Sequence, residues 1–139
     1  MPEESTTPDL VERMRVLFEA ADRADWDAVL TFVAPEAIWE AARLGTSFDG
    51  VAAIRVFLDE WTGPYEDWGV EVEELVDLGD GVTFVVFVQK GHPAGSPGEV
   101  RDRMAAVTEW VEHLITRMKM YTDIDEARAA AERLAQERT

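Results

Sequence analysis

The stretch from Val100 to Tyr121 constrains this chain most. It reads as two long antiparallel strands folded back near Glu112 and His113, followed by a helix capped at Asp123. Its register decides which side chains share a face. A two-residue turn at Glu112-His113 would put Met104 and Ala106 on the face of Lys119 and Tyr121. A three-residue turn, Val111 to His113, instead groups Met104, Ala106, Thr108 and Trp110 with Thr116, Met118 and Met120. The opposite face then carries Arg101, Arg103, Glu109, Arg117 and Lys119. A one-residue slip reverses a strand's faces, so the register that keeps each face chemically coherent is preferred. It asks His113 to take a left-handed conformation, which histidine tolerates better than most residues.

Upstream, helical signals come first. Residues 1–7 read as a disordered polar tail. Thr7 can cap a helix with Pro8 at its first position, and Leu10, Met14, Leu17, Phe18 and Ala21 then fall on one face. Asp25 can cap a short helix carrying Trp26, Val29, Leu30 and Val33, which Pro35 ends. Ala37 to Ala41 reads as a short strand. Asp49 can cap a third helix with Ile54, Phe57, Leu58 and Trp61 on its apolar stripe, stopped by Gly63 and Pro64. In the next strand Val70, Val72, Val76 and Leu78 share one face. Asp80-Gly81 marks a hairpin.

Val82 to Val88 is apolar at nearly every position, so that strand is expected to be covered on both faces. The helices supply one cover. For the other we expect a second subunit, in a homodimer through the outer sheet face burying Val85, Phe87, Ala105 and Val107. His92 to Gly98 reads as a loop. Asp123 and Glu126 suit a capping box, with Ile124, Ala127, Ala131 and Leu134 on the apolar stripe of the last helix.

The 139 residues fit one domain, residues 1–139, without repeat or linker. With 29 acidic against 13 basic residues the net charge is −16, which repels phosphate backbones and anionic membranes. Neither nucleic acid nor a membrane is expected as a partner. The absence of cysteine excludes disulfides and thiolate catalysis. No secretory signal and no spanning apolar stretch is visible, so a cytoplasmic location is expected.

Several segments together resemble a known superfamily. They are Ala24-Asp25-Trp26-Asp27, Phe48-Asp49-Gly50-Val51-Ala52-Ala53-Ile54, Leu78-Gly79-Asp80-Gly81-Val82, and Thr116 to Asp123 followed by Glu126-Ala127. The chain looks like the nuclear transport factor 2-like cone, and within it the SnoaL-like (polyketide cyclase and ketosteroid isomerase-like) group. The resemblance implies an α+β fold: three N-terminal helices packed on a strongly curved, mostly antiparallel sheet, with a C-terminal helix. It implies activities such as double-bond isomerisation, aldol cyclisation, epoxide hydrolysis or dehydration, without a cofactor. Steroid isomerases of this fold pair a carboxylate base with a tyrosine and a protonated aspartate. Carried over, the base position falls at Ala41, or at Glu40 with a register differing by one. The tyrosine position falls near Leu17 and the aspartate position at Ala106. The catalytic arginine and aspartates of the epoxide hydrolases fall near Val86, Val88 and Met120.

Glu40 is the candidate general base, since a carboxylate beside Trp39 in an apolar pocket would have a raised pKa. The alternative is an outward carboxylate paired with Arg43. Trp61, Tyr65 and Trp68 could form an aromatic lip, with Tyr65 supplying a hydroxyl, although packing is the preferred role for large aromatics. His92 could act at the rim but is read as an exposed loop histidine. The basic stripe is read as pairing with Glu109, Glu71 and Glu73 across strands. No metal site is expected from two isolated histidines. The pocket is expected to take a hydrophobic, cyclic or carbonyl-containing small molecule. Its expected lining is Leu17, Trp39, Phe57 and Trp61 from the first half of the chain. From the strands come Phe84, Val86, Val88, Met104, Ala106, Thr108, Met118 and Met120. A non-catalytic ligand-binding or dimeric interaction protein is the alternative.

Overall fold

The computed structural model describes residues 9–41 and 45–138. Helices α1 (Leu10–Asp22) and α2 (Trp26–Leu30) lead into strand β1 (Val33–Ala41), strand β2 (Thr46–Asp49) and helix α3 (Val51–Thr62). Four long strands follow: β3 (Tyr65–Gly79), β4 (Val82–Pro93), β5 (Val100–Val111) and β6 (Leu114–Tyr121). Helix α4 (Ile124–Glu137) ends the described chain. The strands form one six-stranded sheet in the order β2-β1-β6-β5-β4-β3. Every pairing is antiparallel except β1 with β6. This is the expected α+β cone: a curved sheet with helices against it and a C-terminal helix.

The caps follow the sequence with two changes. Asp25 and Asp123 cap α2 and α4 by accepting from the amides of Ala28 and Glu126. Helix α1 is capped by Asp9, which accepts from the Glu12 amide; Thr7 and Pro8 lie outside the described residues. Helix α3 is entered through Gly50 rather than Asp49. Gly50 sits at φ 90°, where glycine is favoured, and its amide donates to the Ala37 carbonyl at 2.7 Å. Pro35 does not end α2, which stops at Leu30; it lies inside β1, which is longer than expected.

The sheet's two faces have different covers. On the inner face, Val85 and Phe87 of β4 join Ala106 and Trp110 of β5 and Met118 and Met120 of β6 in a core with α1, α2 and α3. On the outer face, Val82, Phe84, Val86, Ala105, Val107 and Tyr121 pack under Ala127, Ala131 and Ala135 of α4. The second cover of the apolar strand is therefore the chain's own last helix. Val85, Phe87, Ala105 and Val107 are all buried within one chain, and the first two face away from the last two. They cannot form the dimer interface expected of them.

Register shifts decide the faces of β3 and of the last hairpin. In β3 the pairing shifts between Val72 and Glu74, so Val70 pairs with Gln89 and Val76 with Phe84. An extra residue exchanges the faces of a strand. Val70 and Val72 thus lie on the opposite face from Val76, where one shared face was expected. In the last hairpin, Val111 pairs with Leu114, which leaves the two-residue turn at Glu112-His113. The coherent faces survive because the pairing shifts again: Glu109 meets Arg117, whereas Trp110 meets Ile115. Thr116 is the extra residue, its hydroxyl donating to the Glu109 carbonyl at 3.3 Å. Ile115, not Thr116, therefore faces the core. The left-handed residue is Glu112, at φ 56°, not His113. No helix is long and apolar enough to cross a membrane among the described residues.

Candidate functional site

Strand alternation builds the site on the inner face. Inside the cone, a void of about 30 Å³ is walled by Leu17, Trp39, Trp61, Ala106, Met118 and Met120 together with other apolar side chains. It is too small for an organic ligand, since ligand sites run to roughly 300 Å³ and above. At the open end of the cone a cavity of about 490 Å³ lies next to it, sharing Trp61 and Met120. Phe57, Trp61 and Tyr65 line one part of this mouth. Ala41, Val100, Met104, Met120 and Thr122 line others, and Gln89 and Asp102 bring polar atoms into it.

Asp102 is the residue the sequence reading missed. It pairs with Gln89 across β4 and β5, two positions before Met104 on the same face. Gln89 is only 6% exposed. Its amide nitrogen donates to Asp102 Oδ2 at 2.9 Å, and its carbonyl oxygen accepts from Trp68 Nε1 at 3.0 Å. A buried glutamine satisfied at both ends has a fixed orientation, so the chain Trp68 → Gln89 → Asp102 holds the carboxylate at the mouth. Trp68 is itself wedged between Trp26 and Trp61, with ring centroids 5.6 and 5.5 Å away. The alternation already in use for Met104 and Ala106, carried one step back, points to Asp102.

Glu40 is placed differently from its expected role. On β1, Trp39 and Ala41 pair with Met118 and Met120 and point inward, whereas Glu40 pairs with Lys119 and points to the outer face. Its carboxylate takes two hydrogen bonds from Arg117, at 3.3 and 3.0 Å. Those bonds outweigh partial burial and hold the Glu40 carboxyl below its ordinary range, the reverse of what a base in an apolar pocket needs. Glu40 is thus the outward carboxylate; its suggested partner Arg43 lies outside the described residues.

Among the other expected lining residues, Leu17, Trp39, Phe57, Trp61, Met104, Ala106, Met118 and Met120 line the void or the mouth. Phe84, Val86 and Val88 do not. Phe84 and Val86 pack beneath α4, and Val88 follows them on the outer face by alternation. Thr108 faces inward but is sealed at 0% exposure, and its hydroxyl has no hydrogen-bond partner among the described residues. Tyr65 lines the mouth, as a lip residue would. Trp68 and Trp61 also meet as packed aromatics, so lip and core are one cluster. His92 lies within β4 opposite Glu66, not in a loop, with Nδ1 4.0 Å from Asp67 Oδ2. The basic stripe pairs as expected for Arg103, which meets Glu73 at 2.6 Å, but Arg117 turns to Glu40.

A family model for the SnoaL-like domain matches residues 14–118, most of the chain. The chain belongs to the SnoaL-like domain family. Solved structures share the fold of this SnoaL-like domain at low identity. A protein with a ketosteroid isomerase-like fold from Catenulispora acidiphila, crystallised with trimethylamine, is 20% identical with a TM-score of 0.72. That alignment covers 91% of this chain and 94% of the other. TerC, co-crystallised with polyporic acid, is 16% identical with a TM-score of 0.70, over 88% and 97% of the two chains. A candidate SnoaL-like polyketide cyclase from Shewanella putrefaciens is 10% identical with a TM-score of 0.67, over 96% and 98%. A comparison with curated proteins finds no match.

Proposed function

We propose that this SnoaL-like protein takes an apolar small molecule into the mouth of the cone and acts on it through Asp102, as a cofactor-independent isomerase- or cyclase-type protein. The observation that carries this is the oriented carboxylate: among the described residues Asp102 is the one carboxylate lining a cavity of about 490 Å³ whose walls are mostly apolar and aromatic side chains, and Gln89 donates to one of its oxygens. That size suits a small organic ligand. A carboxylate so positioned can accept a proton from a bound molecule and return it elsewhere, which is the elementary step of isomerisation. Solved relatives of the fold crystallised with trimethylamine and with polyporic acid add support for small-molecule binding.

Non-catalytic binding is the second reading. It is favoured by Leu17, Ala41 and Ala106, apolar where the resemblance puts the catalytic groups of the steroid isomerases. Two variants separate the readings. Met104→Trp fills the mouth, and Asp102→Asn keeps its shape while removing the base. Cyclic β,γ-unsaturated ketones are suitable probes, because conjugation of the double bond is read by ultraviolet absorbance and binding by amide chemical shifts. We expect shifts around Phe57, Trp61 and Met104 that Met104→Trp abolishes, and conjugation that Asp102→Asn abolishes. Shifts clustered away from the mouth overturn the assignment of the site. Binding at the mouth with no conjugation selects the non-catalytic reading.

A further inference from the structure

Resting on the mouth as the ligand site, we propose that its preferred ligands are hydrophobic amines bound as cations, with Asp102 as counter-ion and the Trp61 and Tyr65 rings as walls. Three independent observations lead there. First, among the described residues the charged group lining the mouth is an acid, and it is held ready. Gln89 donates to Asp102 Oδ2, so that oxygen acts as an acceptor, and Oδ1 is not part of that bond. A ligand ammonium would complete the carboxylate as a charge-assisted donor.

Second, the walls suit a cation better than a neutral or anionic head group. Phe57 and Trp61 stack with centroids 5.7 Å apart and planes 17° apart, and Tyr65 completes the aromatic side of the cavity. Aromatic faces attract ammonium groups, most strongly where water is displaced. Met104 and Met120 add polarizable thioethers that adapt to alkyl substituents.

Third, among the described residues no basic side chain lines the mouth. Arg101 and Arg103 flank Asp102 in sequence but point to the other face by alternation, Arg103 reaching Glu73 there. Arg117 and Lys119 line the outer hollow beside Glu40. The net charge of −16 also draws cations to the surface and repels anions.

The experiment uses three ligands of one shape: cyclohexylmethylamine, cyclohexylmethanol and cyclohexanecarboxylate, titrated into the full chain and followed by amide chemical shifts. We expect all detectable binding at the mouth, the amine binding about tenfold tighter than the alcohol, and the carboxylate not at all. Asp102→Asn is expected to bring the amine down to the level of the alcohol while alcohol binding persists, which also reports that the variant is folded. Phenyltrimethylammonium, which cannot donate a hydrogen bond, should weaken several-fold with Trp61→Leu. An amine no tighter than the alcohol, or an amine preference that survives Asp102→Asn, overturns the inference and leaves the mouth as a site for neutral ligands. Binding of none of the three, or binding elsewhere, overturns the mouth assignment and the inference with it.

Discussion

At the scale of single residues, one position changes which face of the sheet a carboxylate serves. Glu40 and Asp102 are both acids on strands, yet one is ion-paired outside the cone and the other held at its mouth. Because Arg117 lowers the Glu40 pKa, the folded protein is stabilised by the ionised carboxylate above its unfolded pKa, near 4.5, and that stabilisation is lost as pH falls through the lowered folded value. The Glu40 side chain is 26% exposed and that of Arg117 47% exposed, so screening keeps the pair's worth below about 1 kcal/mol. Glu40→Gln should therefore lower the denaturation midpoint slightly at neutral pH, and the difference from wild type should shrink to nothing in acid. A difference that grows in acid would reverse the assignment. Thr108 offers a converse test. Its hydroxyl is buried without a partner among the described residues, and such a group costs about 1–3 kcal/mol. Thr108→Val, which keeps the shape, is expected to raise the urea midpoint; a loss of stability would mean the hydroxyl has a bonding role.

Among the elements, α4 turned out differently from the sequence reading. Its capping aspartate and its apolar stripe were legible, and both are correct. What the stripe covers was not, because an amphipathic helix carries no label for the face it will meet. Ala127, Ala131 and Ala135 are small enough to let the helix lie close on Phe84 and Val86. Ala131→Leu should overpack this contact and cost about 1–3 kcal/mol, whereas Ala129→Leu, on the exposed side, should cost little. Equal effects in urea denaturation would show that α4 does not sit tightly on the sheet. The bulges at Glu73 and Thr116 belong to the same scale. Alternation identifies the strands, but an extra residue reverses the faces beyond it, and neither position carries a glycine to signal this. The turn at Glu112-His113 and the coherent faces looked incompatible until the Thr116 bulge reconciled them.

Over the whole molecule, the charge of −16 opposes compaction. Raising the ionic strength from low to physiological should therefore raise the melting temperature, because screening weakens the self-repulsion of the whole net charge more than it weakens ion pairs in direct contact. A fall would show that the surface pairs dominate. The fold itself was readable because helix caps, the Asp80-Gly81 hairpin and the long final strands all agree with one another, and agreement between local signals specifies a topology. The mouth was only half readable. Phe57, Trp61 and Met104 follow from periodicity and Tyr65 from its place after the third helix, but the importance of Asp102 depends on Gln89 from another strand and Trp68 from a third.

The sequence by itself determined every element but the short strand β2, the order of the rest, the family and the apolar character of the inner wall, because these depend on local periodicity and on side-chain chemistry. Only the tertiary structure decided that Glu40 faces outward, that α4 seals the sheet's second face, and that Asp102 stands oriented at the mouth. Each of those depends on register and on bonds between residues distant in the chain, which no single segment encodes.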